Sequence, residues 1–208
     1  FLGELSLNGD VRPLAGGLNF AILAKNLGIK YLFLPETNAK EASLIKDIGI
    51  VPVKNLSALL NHLEGLQIIT LQPSTRFAPK ATNDFDIGDI KGQEGAKRAL
   101  TIAAAGGHNM LMSGPPGSGK TILAQSLNSL LPPFSLEEAI ETSEIWGAAG
   151  LLNGSFLENR PFRAPHQTAS PISIVGGGPN PRPGEISLSH RGVLFLDELP
   201  EFRRDLLE

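Results

Sequence analysis

The stretch GPPGSGKT, from Gly114 to Thr121, decides how the rest of this chain is interpreted. It matches the phosphate-binding loop pattern, in which two glycines five positions apart are followed by a lysine and a serine or threonine. Backbone N–H groups of such a turn, at the start of a helix, form a concave site for polyphosphate anions. Gly117 and Gly119 allow backbone dihedral angles that other residues disfavour, and Lys120 is long enough to reach terminal phosphates. The motif therefore predicts that the chain binds a nucleoside triphosphate.

The sequence on both sides of the loop supports this interpretation. Residues 109–113 form a short apolar run, which predicts a buried parallel strand. Behind the loop, apolar residues recur at helical spacing from Ile122 to Leu131, and Pro132-Pro133 ends the predicted helix. The alternative, a glycine-rich surface loop that precedes a lysine by chance, does not explain this order of strand, loop and helix.

A second motif lies near the end of the chain, where Val193-Leu194-Phe195-Leu196 precedes Asp197 and Glu198. An apolar run without alternation predicts a strand buried on both faces, with its carboxyl end at the ligand-binding edge of an α/β sheet. On its own the acidic pair is more typical of a solvated loop. Together with the phosphate loop, it predicts a magnesium partner in Asp197 and a general base in Glu198.

The two motifs together define the candidate site. We expect ATP and Mg²⁺ as cofactors, with Glu198 and Lys120 as catalytic residues and Thr121 and Asp197 as magnesium partners. The residues assigned to the phosphates are Gly114, Pro115, Pro116, Gly117, Ser118, Gly119, Lys120 and Thr121. The long segment between the motifs includes a capping box, Ser135-Leu136-Glu137-Glu138, which predicts the start of a helix. Gly/Pro-rich residues 147–184 then predict hairpins and functional loops.

Composition limits the class of protein. The 208 residues, 41% hydrophobic and 19% charged, predict one or two globular domains, and no apolar run is long enough to span a membrane. Cysteine is absent, which fits a reducing compartment, and we expect a cytoplasmic protein. The net charge of −3 provides no general basic surface for nucleic acid, although a local loop can still bind it. The chain starts at Phe1 and stops within a predicted helix, so we expect it to be part of a longer protein.

Residues 1–69 alternate between strands and helices and carry no catalytic cluster. Residues 1–7 predict a strand that turns at Asn8-Gly9. Further predicted elements are helices near 18–27, 42–46 and 56–63, the last capped by Asn55, and strands at 31–34 and 50–53. Residues 70–84, rich in proline and small polar residues, predict a linker. A second domain is expected over residues 85–208.

Residues 85–208 closely resemble the ComM/YifB proteins, which are Mg-chelatase-like ATPases of the AAA+ class. The resemblance rests on AAGGHNMLMSGPPGSGKT, PFRAPHQTAS and VGGGPNPRPGEISLSHRGVLFLDELPEF. In IKGQEGAKRAL, the positions that match the segment beside the adenine are Ile90, Gly92 and Gln93. The expected fold is α/β, a P-loop AAA+ core with an incomplete parallel sheet.

Residues 1–69 resemble the end of the Lon-type peptidase domain, an α+β fold of the Lon/S5 kind. In active Lon peptidases the residue after Gly-Gly-Leu is the catalytic lysine, whereas here Gly16-Gly17-Leu18 precedes Asn19. An amide cannot serve as the base of a Ser–Lys dyad. We therefore expect a non-peptidolytic domain used for structure or assembly.

The resemblance implies a homo-hexameric ATP-hydrolysing motor that acts on DNA, in branch migration during natural transformation, with neither a membrane nor a peptide as partner. Its arginine finger and sensor residues are expected beyond Glu208. The alternative is the ATPase subunit of a magnesium-chelatase-type metal-insertion complex. Three arginines invite a role in phosphate or DNA contact, but nearby acids make ion pairing an equal alternative: Arg163, Arg182 and Arg191. For His166 and His190 a structural hydrogen-bonding role is favoured over metal binding.

Overall fold

The computed structural model describes residues 1–79, 85–152 and 155–207. Its mixture of helices and short strands, including parallel pairs, confirms the predicted α/β class. The chain divides into two compact units. The first unit comprises Phe1–Ala78 and Ala139–Leu157, and the second comprises Pro79–Glu138 and Glu158–Glu208. The predicted domain limits at residues 69 and 84 describe family domains rather than these compact units, so they remain a prediction.

The first unit opens with the predicted hairpin. Strands β1 (Glu4–Leu5) and β2 (Val11–Arg12) pair antiparallel, and the N–H of Gly9 donates to the Ser6 carbonyl oxygen at 2.9 Å. Gly9 has a φ of 86°, which glycine adopts readily. The predicted strand over residues 1–7 is too long, because only two of its residues pair across this turn.

A parallel strand pair forms the centre of the first unit. Strand β3 (Tyr31–Pro35) pairs with β4 (Gly49–Val53), with Leu32 opposite Ile50. Helix α1 (Gly17–Asn26) ends as predicted before Gly28, whose N–H bonds to the Lys25 carbonyl oxygen. The apolar core comprises Leu18, Ala21, Leu32, Leu34, Ile50 and Val51, each at most 4% exposed. A strand–helix–strand crossover of this kind is the standard way to connect parallel strands.

Two other helices of the first unit test the predictions differently. Helix α3 (Leu56–Leu63) begins as predicted, since the Asn55 side chain accepts a hydrogen bond from the Ala58 N–H at 2.8 Å. Helix α2 (Glu36–Ala42) corrects the helix predicted near residues 42–46. It begins directly after Pro35, and Glu36 in its first turn suits the positive end of the helix dipole.

The stretch predicted as a linker starts as a bonded part of the first unit. The Gln72 N–H donates to the Ile50 carbonyl oxygen at 2.8 Å, and the hydroxyls of Ser43 and Thr75 lie 2.6 Å apart. The Phe77 ring packs near Phe156, with ring centroids 6.1 Å apart. Residues 80–84 of the predicted linker lie outside the described residues.

The second unit is built around two helices and several short strand pairs. Helices α4 (Glu94–Gly106) and α5 (Lys120–Leu130) pack together. After them the elements are α6 (Leu136–Ala148, of which residues 139–148 belong to the first unit), β5 (Phe162–Arg163), α7 (Pro171–Val175), β6 (Gly176–Gly177), β7 (Arg182–Pro183), α8 (Glu185–Leu188), β8 (Val193–Leu194) and α9 (Arg204–Leu207). Among the helices that the structure describes, none has the length and apolar character needed to cross a bilayer.

The glycine-rich part of the second unit contains a hairpin, as predicted. Strands β6 and β7 pair antiparallel, with Gly176 opposite Pro183. A methyl group added to Gly176 would lie 2.8 Å from the Arg182 carbonyl oxygen, so the two backbones approach too closely for a side chain. Gly176 therefore serves close backbone packing in this hairpin.

Two strand predictions in the second unit need correction. Residues 109–113 form no strand within the described chain, and Leu111 is 79% exposed. Met110 and Met112 instead line a cleft together with Val193, whose strand β8 is already paired in parallel with β5. A strand needs a hydrogen-bonded partner, and an apolar run alone does not supply one. The apolar run at 193–196 is likewise half-buried, with only its first two residues in β8.

Candidate nucleotide-binding site

The predicted phosphate loop runs through two left-handed glycines into the start of α5. Gly117 and Gly119 have φ angles of 76° and 85°, and Gly119 is the N-cap of α5. A methyl group built onto either glycine would meet nothing within 4 Å, so both are needed for their backbone conformation rather than for close packing. The loop therefore ends at a helix N-terminus, where the unpaired N–H groups and the helix dipole favour an anion.

Lys120 lies across this loop. Its ammonium group donates to the carbonyl oxygens of Gly114 and Pro115, at 3.0 and 3.1 Å. These oxygens belong to the loop itself, so the charge is held beside the N-terminus of α5. Phosphate oxygens are stronger acceptors than peptide carbonyls for an ammonium group, because the resulting hydrogen bonds join opposite charges.

The two sequence motifs meet at Thr121 and Asp197. The Thr121 hydroxyl donates to Oδ2 of Asp197 at 3.4 Å, although the two residues are 76 positions apart in the chain. Oδ1 of Asp197 accepts a hydrogen bond from the Glu198 N–H at 3.0 Å. The side chains of Thr121 and Asp197 are exposed, so the oxygens that face each other are open to solvent and to a cation.

This pair of oxygens fits Mg²⁺. Magnesium is bound in nucleotide sites by one or two protein oxygens, and waters and phosphate oxygens complete its octahedral shell. In the described part of the chain no three His, Cys, Asp or Glu side chains cluster as metal ligands, which excludes an all-protein cage there. Thr121 and Asp197 are the residues that would hold the ion.

Glu198 occupies an unusual backbone position. Its φ of 53° lies in the left-handed region, and it caps the short 3-10 turn Leu199–Glu201. The side chain is exposed next to Asp197. A non-glycine residue in this region is strained, and such strain is concentrated at functional sites.

Gln93 extends the site to the segment predicted beside the adenine. Its side-chain amide donates to the Ser118 carbonyl oxygen at 3.2 Å, and its own φ is 59°. Gly92 is also left-handed, with a φ of 70°, and Ile90 is half-buried just before it. Sequence reasoning assigned these residues to the base but missed the direct bond from Gln93 to the phosphate loop.

Asn19, which follows Gly16-Gly17-Leu18, makes a hydrogen bond within the first unit. The Asn19 amide donates to the Glu144 carbonyl oxygen at 3.1 Å, and its own Oδ1 is buried without a hydrogen-bond partner among the described residues. Gly17, two residues earlier, lies against Glu41 and Asn38. Nothing at Asn19 can exchange a proton near neutral pH, because an amide does not titrate.

Arg163 is paired rather than free for a phosphate. Its guanidinium donates to both carboxylate oxygens of Glu185, at 2.5 and 2.7 Å. The hydrogen bonds that Arg163 donates to Glu185 outweigh the effect of burial and raise the pKa of Arg163. Of the alternatives left open by the sequence, the structure supports ion pairing for Arg163, whereas Arg182 is exposed on β7.

The chain is similar to several known proteins. The family model described as magnesium chelatase, subunit ChlI, matches residues 86–208, which is more than half of the chain. Competence protein ComM of Haemophilus influenzae is 46% identical over 215 aligned residues, which cover 100% of this chain and 42% of ComM. YifB of Escherichia coli is 44% identical and is covered to 41%. The 67 kDa magnesium-chelatase subunit of Heliobacterium mobile is 29% identical over 56% of this chain and 22% of its own.

The chain spans less than half the length of the ComM and YifB relatives. Its match to the family model contains the phosphate loop and the Asp197–Glu198 pair, which are the elements that the structure brings together. On the family model and on full-chain identity, the chain belongs to the magnesium-chelatase family of ATPases, and within it to the ComM/YifB group.

Proposed function

We propose that the protein is an ATP-hydrolysing motor whose site is formed by the phosphate loop and the Asp197–Glu198 pair. The hydrogen bond between Thr121 and Asp197 carries this proposal, because it joins the two motifs on which nucleotide hydrolysis depends. A chance loop would not be expected to bring a hydroxyl and a carboxylate together at the N-terminus of a helix. Membership of the magnesium-chelatase family supports the same activity.

Each residue of the site has an assigned role. The loop Gly114–Thr121 binds the phosphates through the Lys120 ammonium and the N–H groups of its non-proline residues, while Ile90, Gly92 and Gln93 form the base side of the site. Thr121 and Asp197 would hold Mg²⁺, which would supply charge neutralisation at the phosphate oxygens. Glu198 orients the attacking water and accepts its proton at a carboxylate oxygen.

We further propose that the motor acts on DNA, in branch migration during natural transformation. The full-chain similarity to a competence protein supports this assignment. The motor would be a cytoplasmic homo-hexamer in which a neighbouring subunit completes each site. Within this chain, the exposed Arg182 on the β6–β7 hairpin is our candidate for a DNA phosphate contact. The first unit is assigned to a Lon-like domain without peptidase activity, because Asn19 occupies the lysine position.

The ATPase subunit of a metal-insertion complex is a second candidate. The name of the matching family model favours it. The magnesium-chelatase relative aligns with only 56% of this chain, whereas the ComM relative aligns with all of it, so the extent of the match favours the DNA motor. Complementation of a chelatase that lacks its ATPase subunit, with a porphyrin as substrate, distinguishes the two.

The test is the ATPase rate of the full-length protein with and without branched DNA. We expect hydrolysis that depends on Mg²⁺ and is accelerated by branched DNA, and we expect Glu198→Gln to bind ATP without turning it over. Glu201→Gln is the matched control, since this exposed acid lies three residues away in the same turn. Hydrolysis by Glu198→Gln at the wild-type rate contradicts the site assignment, and a rate indifferent to DNA contradicts the proposed substrate.

A further inference from the structure

Arg160 makes a hydrogen bond with each of its three guanidinium nitrogens. Nε donates to the Pro132 carbonyl oxygen, Nη1 to the Arg191 carbonyl oxygen and Nη2 to Oε2 of Glu138, each at 2.7 Å. The planar fork of arginine fixes the directions of these bonds relative to one another. One side chain therefore sets the relative positions of three separate segments of the second unit.

Two of these segments lead to the nucleotide site. Pro132 follows the end of α5, whose first residues are Lys120 and Thr121. Arg191 directly precedes the strand segment that leads to Asp197. Arg160 thus links the two elements at their ends away from the phosphate loop, while the Thr121–Asp197 hydrogen bond links them at the site.

The surroundings of Arg160 hold it in place. Only 11% of its side chain is exposed, and the guanidinium lies over the Phe134 ring, 4.9 Å from the centroid. Oε2 of Glu138 also accepts a hydrogen bond from the Ser135 N–H at 3.1 Å, in the capping box of α6. Burial alone would raise the pKa of Glu138, but the Ser135 hydrogen bond and the charges of Arg160 and Arg191 outweigh it and lower the pKa.

The backbone beside Arg160 repeats the same connections. The Asn128 amide, on α5, donates to the Arg160 carbonyl oxygen at 2.9 Å. The Val193 N–H, at the start of β8, donates to the Pro161 carbonyl oxygen at 2.9 Å. A methyl group on Gly192 would collide with that Pro161 oxygen, so α5, residues 160–161 and β8 are in close contact. The side-chain hydrogen bonds therefore stabilise an existing junction rather than bridge a gap.

We propose that Arg160 is a positioning residue for ATP hydrolysis: it fixes α5 relative to β8 and so keeps Thr121 and Asp197 next to each other, where they would hold Mg²⁺. This inference rests on the proposed ATPase function. It predicts that loss of the guanidinium mainly affects the chemical step, because the loop glycines and Lys120 bind phosphate through contacts local to the loop. Lysine at this position offers one charged centre in place of the planar guanidinium and can replace only some of its three hydrogen bonds.

The experiment compares Arg160→Gln and Arg160→Lys with wild type in the full-length protein. We expect kcat to fall between about tenfold and about 100-fold in Arg160→Gln, with the KM for MgATP changed less than about threefold, and an intermediate kcat in Arg160→Lys. The matched control is Arg203→Gln, because Arg203 also pairs with a carboxylate, Asp205, but is 65% exposed. A wild-type kcat in Arg160→Gln, whatever its melting temperature, overturns the proposal.

A second measurement separates this inference from the proposed activity. The enhancement by Mg²⁺ of the binding of a fluorescent ADP analogue depends on the Thr121–Asp197 spacing but not on turnover. If wild type binds the analogue without hydrolysing ATP, the proposed function fails while the inference is still judged by a smaller Mg²⁺ enhancement in Arg160→Gln. If Arg160→Gln does not fold, Glu138→Gln removes the charge of one partner, and an unchanged kcat and Mg²⁺ enhancement there overturn the inference.

Discussion

Polar side chains are buried in the first unit and exposed at the site of the second. Asn38 and Glu41 are 0% exposed, and the Asn38 amide donates to Oε1 of Glu41 at 2.6 Å. Thr121, Asp197 and Glu198 are exposed, and they are joined by hydrogen bonds of 3.4 Å from Thr121 to Asp197 and 3.0 Å from the Glu198 N–H to Asp197. A buried polar group must find its partners within the protein, whereas an exposed one remains available to a ligand. Buried polarity in the first unit thus points to packing, and exposed polarity in the second points to chemistry.

Lys120→Ala tests the second unit and has the largest expected effect. Removal of the ammonium should lower the ATPase rate of the full-length protein by at least about 100-fold, because charge developing on the phosphate loses a stabilising cation. The melting temperature should stay close to that of wild type, since the lysine bonds only to loop carbonyls. Lys30→Ala, an exposed lysine of the first unit, should leave the rate unchanged. If Lys120→Ala hydrolysed ATP at the wild-type rate, the exposed polar side chains of the second unit would no longer point to chemistry.

Gly17→Ala tests packing in the first unit. The new methyl group would lie 2.9 Å from Cβ of Asn38 and would collide with Oε1 of Glu41, so the variant should lose about 2 kcal/mol of stability. Urea denaturation followed by the fluorescence of Trp146, the only tryptophan in the sequence, measures it. Gly95→Ala is the control, because a methyl group there meets nothing within 4 Å and alanine favours a helix. Equal stability of both variants would show that the glycine is not required by packing.

Glu41→Gln tests whether the buried carboxyl of the first unit destabilises the folded protein when it is ionised. Burial raises its pKa above the ordinary 4.5, and this outweighs the hydrogen bonds from Asn38 and Gly17. Since the folded state holds the proton more tightly, wild type should lose stability as pH rises from 4.5 through the raised pKa.

The glutamine variant should be less sensitive to pH and about 1 kcal/mol more stable than wild type at pH 8, as judged by thermal denaturation at pH 5 and pH 8. Glu36→Gln, exposed on the same helix, is expected to keep the wild-type pH dependence. A Glu41→Gln protein that is less stable at pH 8 would mean that the charge is compensated.

Arg12→Ala should have the smallest effect. Arg12 pairs with Glu4 at 2.7 Å across the first hairpin, but the two side chains are 59% and 64% exposed. Solvent screening limits such a pair to about 0.5 kcal/mol. A double-mutant cycle with Glu4→Ala measures it by urea denaturation, and a coupling well above about 1 kcal/mol would show that exposure alone does not separate the two kinds of polarity.

Local signals allowed most of the helix ends to be predicted. Asn55 announced the start of α3, and the Ser135–Glu138 capping box announced α6. The helix predicted near residues 42–46 was wrong, because the prediction followed an apolar stretch. The signals at the true start were Pro35 and the acidic Glu36. The strand at 109–113 failed for another reason, because its apolar run describes what a strand requires of its surroundings and not whether a partner strand is present.

The residues of the candidate site could be predicted because they belong to motifs with a fixed spacing. The hydrogen bonds of Arg160 could not be predicted. Its partners lie 22 to 31 residues away in the chain, and two of them are backbone carbonyls, which every residue type has. The sequence instead suggested a phosphate contact or an ion pair for Arg163, and the structure shows an ion pair with Glu185.

The glycine pair before Leu18 has a consequence for automated searches. Gly16 needs its left-handed backbone to start α1, and Gly17 has no room for a side chain beside Glu41 and Asn38. Both glycines are therefore required by backbone conformation and packing, whatever residue follows Leu18. A search pattern built on Gly-Gly-Leu alone would report on the packing of this segment, and the residue that bears on chemistry is the one after it, here Asn19.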